Sequence, residues 1–283
     1  MKEPKQMWTE EIKAESSLFS INFREIWHYR DLLFMLVKRD FITFYKQTIL
    51  GPLWFIVQPL LTTLIFVILF GNIAKLSTDG IPQLAFYLAG ITIWNYFSES
   101  LTKTSSVFTA NASIFGKVYF PRLIMPLSIV ASSLLKFAVQ FGLFILVVLY
   151  YTFVAQSIQP NFWILLTPVL ILLMALFALG VGMIFSSLTT KYKDLTFLLA
   201  FGIQLFMYIT PVVYPSSALP EKFQILAKIN PLSSIFECFR YAYLGTGTFT
   251  ITDLLISTLV IVFLFFAGVL VFNKVEKSFM DTV

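Results

Sequence analysis

Charged side chains, cysteine and histidine are all scarce in this sequence. Asp, Glu, Lys and Arg make up 12% of its 283 residues, against about 25% in an average soluble domain. A soluble chain of this length needs a polar surface to cover its cores, so the shortage excludes a soluble globular protein. The single cysteine, Cys238, excludes an internal disulfide and any site with several cysteine ligands. The single histidine, His28, has no neighbours at metal-ligand spacing.

Motifs for catalysis are also missing. No phosphate-binding loop of the form G-x-x-x-x-G-K-S/T occurs in the chain. No paired carboxylates suggest hydrolysis, and His28, in the charged N-terminal region, does not supply a Ser/His/Asp set. We therefore expect no catalytic residue, no bound metal and no cofactor, and a transport protein rather than an enzyme.

What the sequence does contain is apolar and aromatic. Hydrophobic residues reach 58% and aromatic residues 17%, with 32 Phe among them. This composition is typical of an α-helical membrane protein with aromatic belts at the lipid interfaces. The net charge of +5 does not indicate a nucleic-acid partner, because the basic residues are spread along the chain rather than gathered into one patch.

Six apolar segments predict transmembrane helices, since about 20 apolar residues cover about 30 Å of hydrocarbon. The predicted spans are 53–73, 84–107, 128–151, 162–187, 195–213 and 252–272. In the second span only 84–97 is continuously apolar, and its continuation contains Glu99 and Lys103. Their i, i+4 spacing predicts an intramembrane ion pair that faces protein or water rather than lipid.

The distribution of basic residues predicts the orientation. With the N-terminus inside, fifteen Lys and Arg residues fall in cytoplasmic segments and four in external ones. Basic residues favour the cytoplasmic side, so both termini are expected there. The predicted organisation is a cytoplasmic arm (1–31), one six-helix transmembrane domain (47–273) and a cytoplasmic tail (274–283).

Segment 32–46 predicts an amphipathic helix that lies in the membrane interface. Apolar residues recur there at helical spacing, and Lys38, Arg39, Asp40 and Thr43 occupy much of the remaining face. A basic amphipathic helix of this kind lies along lipid headgroups. The alternative interpretation is a buried helix of a soluble region.

Segment 214–250 is external in this topology and is unusually apolar. Pro and Gly residues divide it into two short helical stretches, 218–229 and 232–244. The second stretch is too short to span a bilayer, which is typical of a re-entrant or interfacial segment. We expect a re-entrant helix pair before the last span, and an ordinary external loop is the alternative.

Four stretches resemble the membrane subunit of type-2 ABC exporters, in particular the group that exports polysaccharide. They are LLFMLVKRDFITFYKQTILGPLWFIVQPL (32–60), KVYFPRLIMPLS (117–128), SSLTTKYKDL (186–195), and ITPVVYP (209–215) followed by NPLS (230–233). The resemblance covers nearly the whole chain from about residue 24. One departure concerns Lys191 and Lys193, which stand where the family commonly has arginine, so bidentate hydrogen bonding is lost there.

The resemblance implies a homodimer bound to two separate ATPase subunits, which would use ATP and Mg²⁺ while this chain binds neither. It assigns ATPase coupling to two cytoplasmic loops and the interface helix, through Arg39, Asp40, Lys117, Arg122, Lys191, Tyr192, Lys193 and Asp194. It suggests a channel lined by Trp54, Phe55, Phe66, Phe70, Phe197, Phe201, Phe206 and Tyr208. It suggests an external gate formed by Tyr214, Pro215, Phe236, Phe239 and Tyr241. Taken alone, each charged loop is also typical of a membrane-flanking charge group, and aromatic residues in spans also face lipid.

The function expected from the resemblance is export of a lipid-linked polysaccharide, of O-antigen or lipopolysaccharide type, across the bacterial inner membrane. Teichoic acid or a small hydrophobic drug are alternative cargoes for the same kind of exporter. An ion-coupled secondary transporter is an alternative of a different class, although one Glu paired with a Lys is little acidic chemistry for it. A membrane glycosyltransferase is a further alternative, opposed by the lack of an acidic pair or metal motif.

Overall fold

The computed structural model describes residues 23–46, 48–115 and 120–279, and the regular structure in these ranges is helical throughout. Two π-helical stretches extend α3 to Ile73 and α7 to Val154. The α-helices are α1 (Phe23–His28), α2 (Arg30–Tyr45), α3 (Trp54–Phe66), α4 (Gln83–Ser105), α5 (Val107–Ala110), α6 (Ala112–Phe115), α7 (Ile124–Leu149), α8 (Thr167–Thr189), α9 (Leu195–Ile209), α10 (Glu221–Ile229), α11 (Pro231–Leu244) and α12 (Ile251–Phe279).

Among the described residues, four helices are long and apolar enough to cross a membrane. They are Gly51–Ile73, Ile124–Val154, Phe162–Thr189 and Ile251–Val275. Each contains the predicted span at its position nearly completely, because a run of apolar residues long enough to cross hydrocarbon is visible in sequence alone.

Helix α4, with 23 residues, is as long as the shortest of these four but more polar, because it runs through the middle of the bundle. It packs against α3, α7, α8, α9 and α11, and most of its residues are buried. Helical neighbours therefore surround most of its polar side chains, whereas Thr102 and Lys103 near its end are exposed. This is the arrangement expected for ionisable groups at membrane depth. This position explains why segment 84–107 has the weakest apolar signal of the six predicted spans.

Helix α9 is shorter than its predicted span, 195–213. It ends at Ile209, and Thr210 is extended with ψ of 141°. Thr210 precedes Pro211, whose ring disfavours the helical conformation of the residue before it. At 1.5 Å per residue, the 15 residues of α9 cover about 22 Å, less than the hydrocarbon thickness.

Helix α2 begins two residues before the predicted interface helix and packs against α7. Leu36, at the centre of the predicted apolar stripe, is buried, whereas Lys38 and Arg39 are exposed. Phe34 and Met35 are also exposed, so α2 presents apolar surface outward as well as inward. One apolar face is covered by the bundle and the other is open to its surroundings.

Contacts between distant segments define two ends of the bundle. At the α2 end, Thr189 donates a hydrogen bond to the carbonyl of Ser105 at 3.0 Å, and Phe108 stacks on Phe272 with ring centroids 4.5 Å apart. The α4–α7 connection, the α8–α9 connection and the C-terminal part of α12 therefore lie together. At the α11 end, the Asn161 backbone N–H donates to the carbonyl of Ala242 at 2.9 Å, which brings the α7–α8 connection against α11.

Candidate functional site

A cleft of about 510 Å³ opens at the α2 end, between α2, α4 and α7. Seven of its ten lining residues have polar side chains, and the lining consists of Arg39, Asp40, Thr43, Lys103, Ser106, Ala110, Asn111, Met125, Ser128 and Ile129. The guanidinium of Arg39 donates two hydrogen bonds to one carboxylate oxygen of Asp40, at 2.9 and 2.8 Å. These neighbouring charges therefore pair with each other at the cleft, and both remain partly exposed.

A charged cluster lies beside this cleft, within the bundle. The carboxylate of Glu99 accepts a hydrogen bond from Lys103 at 2.6 Å and another from Lys136 of α7. Lys136 is buried, and its ammonium also lies 5.5 Å from the ring centroid of Phe55. Two ammonium groups thus converge on one carboxylate, and this leaves an excess of positive charge. We call Glu99, Lys103 and Lys136 the charge cluster.

The α8–α9 connection presents its charged residues to solvent. Lys191, Tyr192, Lys193 and Asp194 are all exposed, and the Lys191 ammonium lies 5.4 Å from the Tyr192 ring centroid. Within the part of the chain that the structure describes, none of these four forms an ion pair. An exposed and unneutralised basic loop is suited to binding an acidic surface.

The α4–α7 connection contains the other two residues proposed for coupling. Arg122 places its guanidinium 5.6 Å from the ring centroid of Phe115. Lys117 lies outside the described residues. The described part of this connection forms two short helices, α5 and α6, and shares the α2 end with the α8–α9 connection. The loops assigned to coupling are therefore neighbours in space.

At the α11 end, a buried arginine holds the non-helical chain that follows α9. Arg240 is 2% exposed, and it donates to the carbonyls of Val212 at 2.6 Å and Tyr214 at 3.2 Å. Its guanidinium lies 3.9 Å from the ring centroid of Phe86 on α4 and forms a 3.9 Å ion pair with Glu237. Arg240 thus donates hydrogen bonds to backbone carbonyls that have lost their helical N–H partners. Replacement partners of this kind allow an irregular backbone inside a membrane protein.

Two further side chains hold the non-helical chain that follows α9. Asn230 caps α11 by accepting from the Leu232 backbone N–H at 3.0 Å, and its amide donates to Thr210 Oγ1 at 2.8 Å. The hydroxyl of Tyr214 donates to the carbonyls of Tyr208 and Ile209 at the end of α9. The motifs ITPVVYP and NPLS are therefore two halves of one hydrogen-bonded junction, which we call the α9–α11 junction.

Sequence reasoning did not identify Arg240, Asn230 or Glu237 as site residues. In the count of basic residues that predicts the orientation, Arg240 is one of the four external ones and has no other role. The available signals were the Asn-Pro pair, which is typical of a helix start, and the i, i+3 spacing of Glu237 and Arg240 in an apolar stretch. A charged pair among apolar residues indicates burial with a partner, and the structure supplies that partner.

The aromatic residues proposed to line a channel fall into two groups. Phe197, Phe201 and Tyr208 lie along one exposed face of α9 and Trp54 is exposed on α3, with Phe197 the most exposed at 79%. The others pack inside the helix bundle: Phe55 is buried, Phe66 and Phe70 contact Tyr87, and Phe206 contacts Trp94 and Phe97. The exposed group retains free ring faces, whereas the packed group supports the bundle.

The residues proposed for an external gate surround the α9–α11 junction. Phe236 and Phe239 are fully buried on α11, and Phe239 packs on Phe144 of α7. Pro215 is buried, and the ring of Tyr241 lies 6.0 Å from that of Phe249. Tyr214 is partly exposed and belongs to the junction itself. In this arrangement Phe236 and Phe239 pack inside the chain and hold α11 against its neighbours.

Comparison with known proteins places this architecture in a family. The family described as ABC-2 type transporter matches residues 31–244. The O-antigen export system permease protein RfbA of Klebsiella pneumoniae is 32% identical over 253 residues, which cover 89% of this chain and 94% of the relative. RfbA of Myxococcus xanthus is 26% identical over 92% of this chain and 98% of the relative. The polysialic acid transport protein KpsM of Escherichia coli is 25% identical over 87% and 94%. The chain belongs to the membrane-embedded ABC-2 type transporter family.

Proposed function

We propose that this protein is the permease subunit of an ABC exporter that moves a lipid-linked polysaccharide of O-antigen type across the bacterial inner membrane. A separate ATPase subunit supplies the energy. The observation that carries the proposal is the 32% identity, over about nine tenths of both chains, to a protein named as an O-antigen export permease. The exposed aromatic face of α9 is compatible with this cargo, since ring faces can pack against sugar rings.

The proposed topology has six spans and both termini in the cytoplasm. Helices α3, α4, α7, α8, α9 and α12 are the spans in this proposal, and α10 and α11 form an external re-entrant pair. The gathering of the basic loops at the α2 end supports a cytoplasmic location for that end. The short α9, followed by the α9–α11 junction, supports a break in the fifth span at the external side.

In the proposed assembly, two protomers form a homodimer whose centre is the channel. The face of α9 that contains Phe197, Phe201 and Tyr208 would line it, together with Trp54 at the start of α3. Within the described part of one protomer this face is exposed, and large exposed apolar surfaces mark interaction sites or lipid contacts. The ATPase would bind the α2 end, where α2 and both charged loops meet.

Transport would then follow from movement of the ATPase. ATP binding would draw the two ATPase subunits together, and the loops at the α2 end would pass this movement to the helices. The ATPase can shift the permease between two states only to the extent that it binds those two states with different affinity. The polymer would enter from the cytoplasmic leaflet near α2 and leave at the α11 end.

Export can be tested in a strain that lacks the gene for this permease. The strain is complemented with the permease and its ATPase. Two quantities are then measured: the polysaccharide on the outer face, and the lipid-linked glycan that remains in the cytoplasmic leaflet. We expect export with an active ATPase and none with an ATPase that cannot hydrolyse ATP. Export that continues without ATP hydrolysis would favour an ion-coupled transporter, and drug efflux without glycan export would favour a drug cargo.

Coupling can be tested by reversing charge in the α8–α9 connection. A Lys191→Glu/Lys193→Glu variant is expected to lose copurification with the ATPase, because it would place acidic groups where an acidic partner surface binds. Lys222→Glu is the matched control, since Lys222 is also an exposed lysine but lies on α10 at the other end. Equal copurification of the two variants, or full export after deletion of residues 1–46, would contradict coupling through the α2 end.

A further inference from the structure

A second cavity, of about 280 Å³, lies at the α11 end between α10, α11, the following loop and the start of α12. It is separate from the cleft at the α2 end and from the exposed face of α9. Its lining is rich in hydroxyl and charged groups and consists of Ser216, Ser217, Gln224, Ala227, Lys228, Ser233, Ser234, Glu237, Thr248, Phe249, Thr250 and Asp253. The volume is just below the range of about 300 to 1,000 Å³ typical of pockets for small ligands.

A buried carboxylate organises the walls of this cavity. Glu237 is 4% exposed, and one of its oxygens accepts from the backbone N–H and the hydroxyl of Ser216, at 3.0 and 2.8 Å. Its other oxygen accepts from the Thr248 backbone N–H at 3.3 Å. One side chain thus ties the chain before α10 to the chain before α12. The polar walls are therefore held in place, as in a preformed binding site.

One hydroxyl at this cavity is buried and lacks a partner. Ser233 is 5% exposed, and its Oγ forms no hydrogen bond within the described part of the chain. A buried hydroxyl without a partner costs free energy, so native proteins rarely leave one unless a ligand or a water molecule completes it. Ser233 lines the cavity, and its Oγ is covered, so a bound molecule would reach this hydroxyl only after the Ser233 side chain turns.

The remaining lining combines an aromatic ring with charges of both signs. The ring of Phe249 is held edge to face by Trp163, with centroids 5.1 Å apart. Lys228 is exposed and forms no ion pair with any described residue. Asp253, near the start of α12, also lines the cavity and accepts a hydrogen bond from the hydroxyl of Thr250. A ring face suits an apolar patch of a ligand, and the carboxylate, ammonium and hydroxyl groups suit ligand hydroxyls that both donate and accept.

We infer that this cavity binds one saccharide unit of the exported glycan at the exit side of the permease. A sugar ring has an apolar C–H face and a rim of neutral hydroxyls, which matches the combination of Phe249, Ser233, Lys228 and Asp253. The lining contains two carboxylates, Glu237 and Asp253, against one ammonium, Lys228, which does not favour an anion over a neutral ligand. A wholly apolar ligand would cover the cavity hydroxyls without forming hydrogen bonds to them. The inference rests on the proposed polysaccharide cargo and adds a site at which the polymer is held as it emerges.

The test uses the complete permease–ATPase complex in lipid nanodiscs and, as probe, short oligosaccharides released from the host's own polysaccharide. Binding is measured by calorimetry. We expect Phe249→Ala and Lys228→Met each to weaken binding about tenfold, the effect of losing one strong contact. The matched controls are Phe223→Ala and Lys222→Met on α10, because both side chains are exposed there and neither lines the cavity. We expect both controls to bind within about twofold of the wild type.

The outcomes separate this site from the function on which it rests. Weakened binding in the cavity variants, with copurified ATPase and unchanged thermal stability, supports the site. Glycan export by the wild type with no oligosaccharide binding, or with equal binding by all four variants, overturns the site but leaves the export function in place. If Phe249→Ala fails to fold, Ser233→Thr is used instead, since its added methyl group reduces the cavity and should also weaken binding.

Discussion

Replacing Glu99, whose side chain is 28% exposed, with glutamine is expected to destabilise the helix bundle by about 3 kcal/mol, the lower end of the usual cost of breaking a buried ion pair from one side. Glutamine has nearly the same shape as glutamate, so the change removes charge and leaves the packing almost intact. The side chain of Lys136 is 7% exposed and donates to Glu99. The variant would keep this ammonium in a low-dielectric site and face it with a neutral amide, which is why the cost is large.

Lys103 provides the internal comparison, because it binds the same carboxylate from the same helix as Glu99. Its side chain is 45% exposed, so water can solvate its ammonium. Exposed ion pairs contribute about 0 to 1 kcal/mol, and Lys103→Gln should cost no more than that. Burial, rather than the number of ion pairs, is therefore expected to decide the difference between the two variants.

A double variant tests whether Lys136 is the cause. Glu99→Gln/Lys136→Gln removes the buried cation together with its counter-ion, so it should be more stable than Glu99→Gln alone. We expect it to recover about 2 kcal/mol, within the range of coupling energies between residues in contact. Recovery of this size would assign the loss to the Lys136 ammonium that no longer faces the Glu99 carboxylate, rather than to a general disturbance of α4.

The assay is reversible unfolding of the purified protein in mixed micelles with increasing SDS, followed by tryptophan fluorescence. Trp94 is buried on α4 against Phe97, so it reports on the helix that contains Glu99. Two results would refute the reasoning. One is a cost for Glu99→Gln no larger than that for Lys103→Gln, and the other is a double variant that is as unstable as Glu99→Gln.

Two further predictions concern packing and the α9–α11 junction. Gly268→Ala should lower the free energy of unfolding by about 1 to 3 kcal/mol, because the new Cβ would clash with the backbone carbonyl of Gly180. Gly142→Ala, where nothing lies within 4 Å, should be neutral or slightly stabilising in the same SDS unfolding assay, and equal effects would contradict the close α8–α12 contact. Arg240→Lys should cost about 1.5 to 3 kcal/mol for one lost charge-assisted hydrogen bond and speed amide hydrogen exchange in 210–216. Unchanged exchange would show that Arg240 does not hold this segment.

The helical membrane architecture could be read from the sequence because it depends on local composition. Predicted segments 162–187 and 232–244 differ by at most two residues from the helices Phe162–Thr189 and Pro231–Leu244. Apolar length and the positions of Pro, Gly and Asn are local signals, so they locate helices well. The end of α9 was placed four residues too late because apolarity continues past Thr210, while the backbone already responds to Pro211.

The sites were less predictable because their partners are far apart in sequence. Glu99 and Lys103 are one turn apart, so their proximity follows from helix geometry alone. Lys136 reaches the same carboxylate from 37 residues away, and no local pattern shows that α7 turns this residue toward α4. The aromatic residues behave likewise, since the sequence gives Phe55 and Phe197 the same apolar character and only packing makes one buried and the other exposed.

The sequence by itself determined that the chain is a helical membrane protein, where its apolar segments lie and which loops are basic. These properties follow from how many apolar residues occur in a row and where charges interrupt them. Tertiary structure alone decided that Arg240 is buried, that Lys136 joins Glu99, and that a polar cavity forms around Glu237. Each of these depends on backbone carbonyls, rings and loops that come together only when helices pack, and packing is not encoded within any single segment.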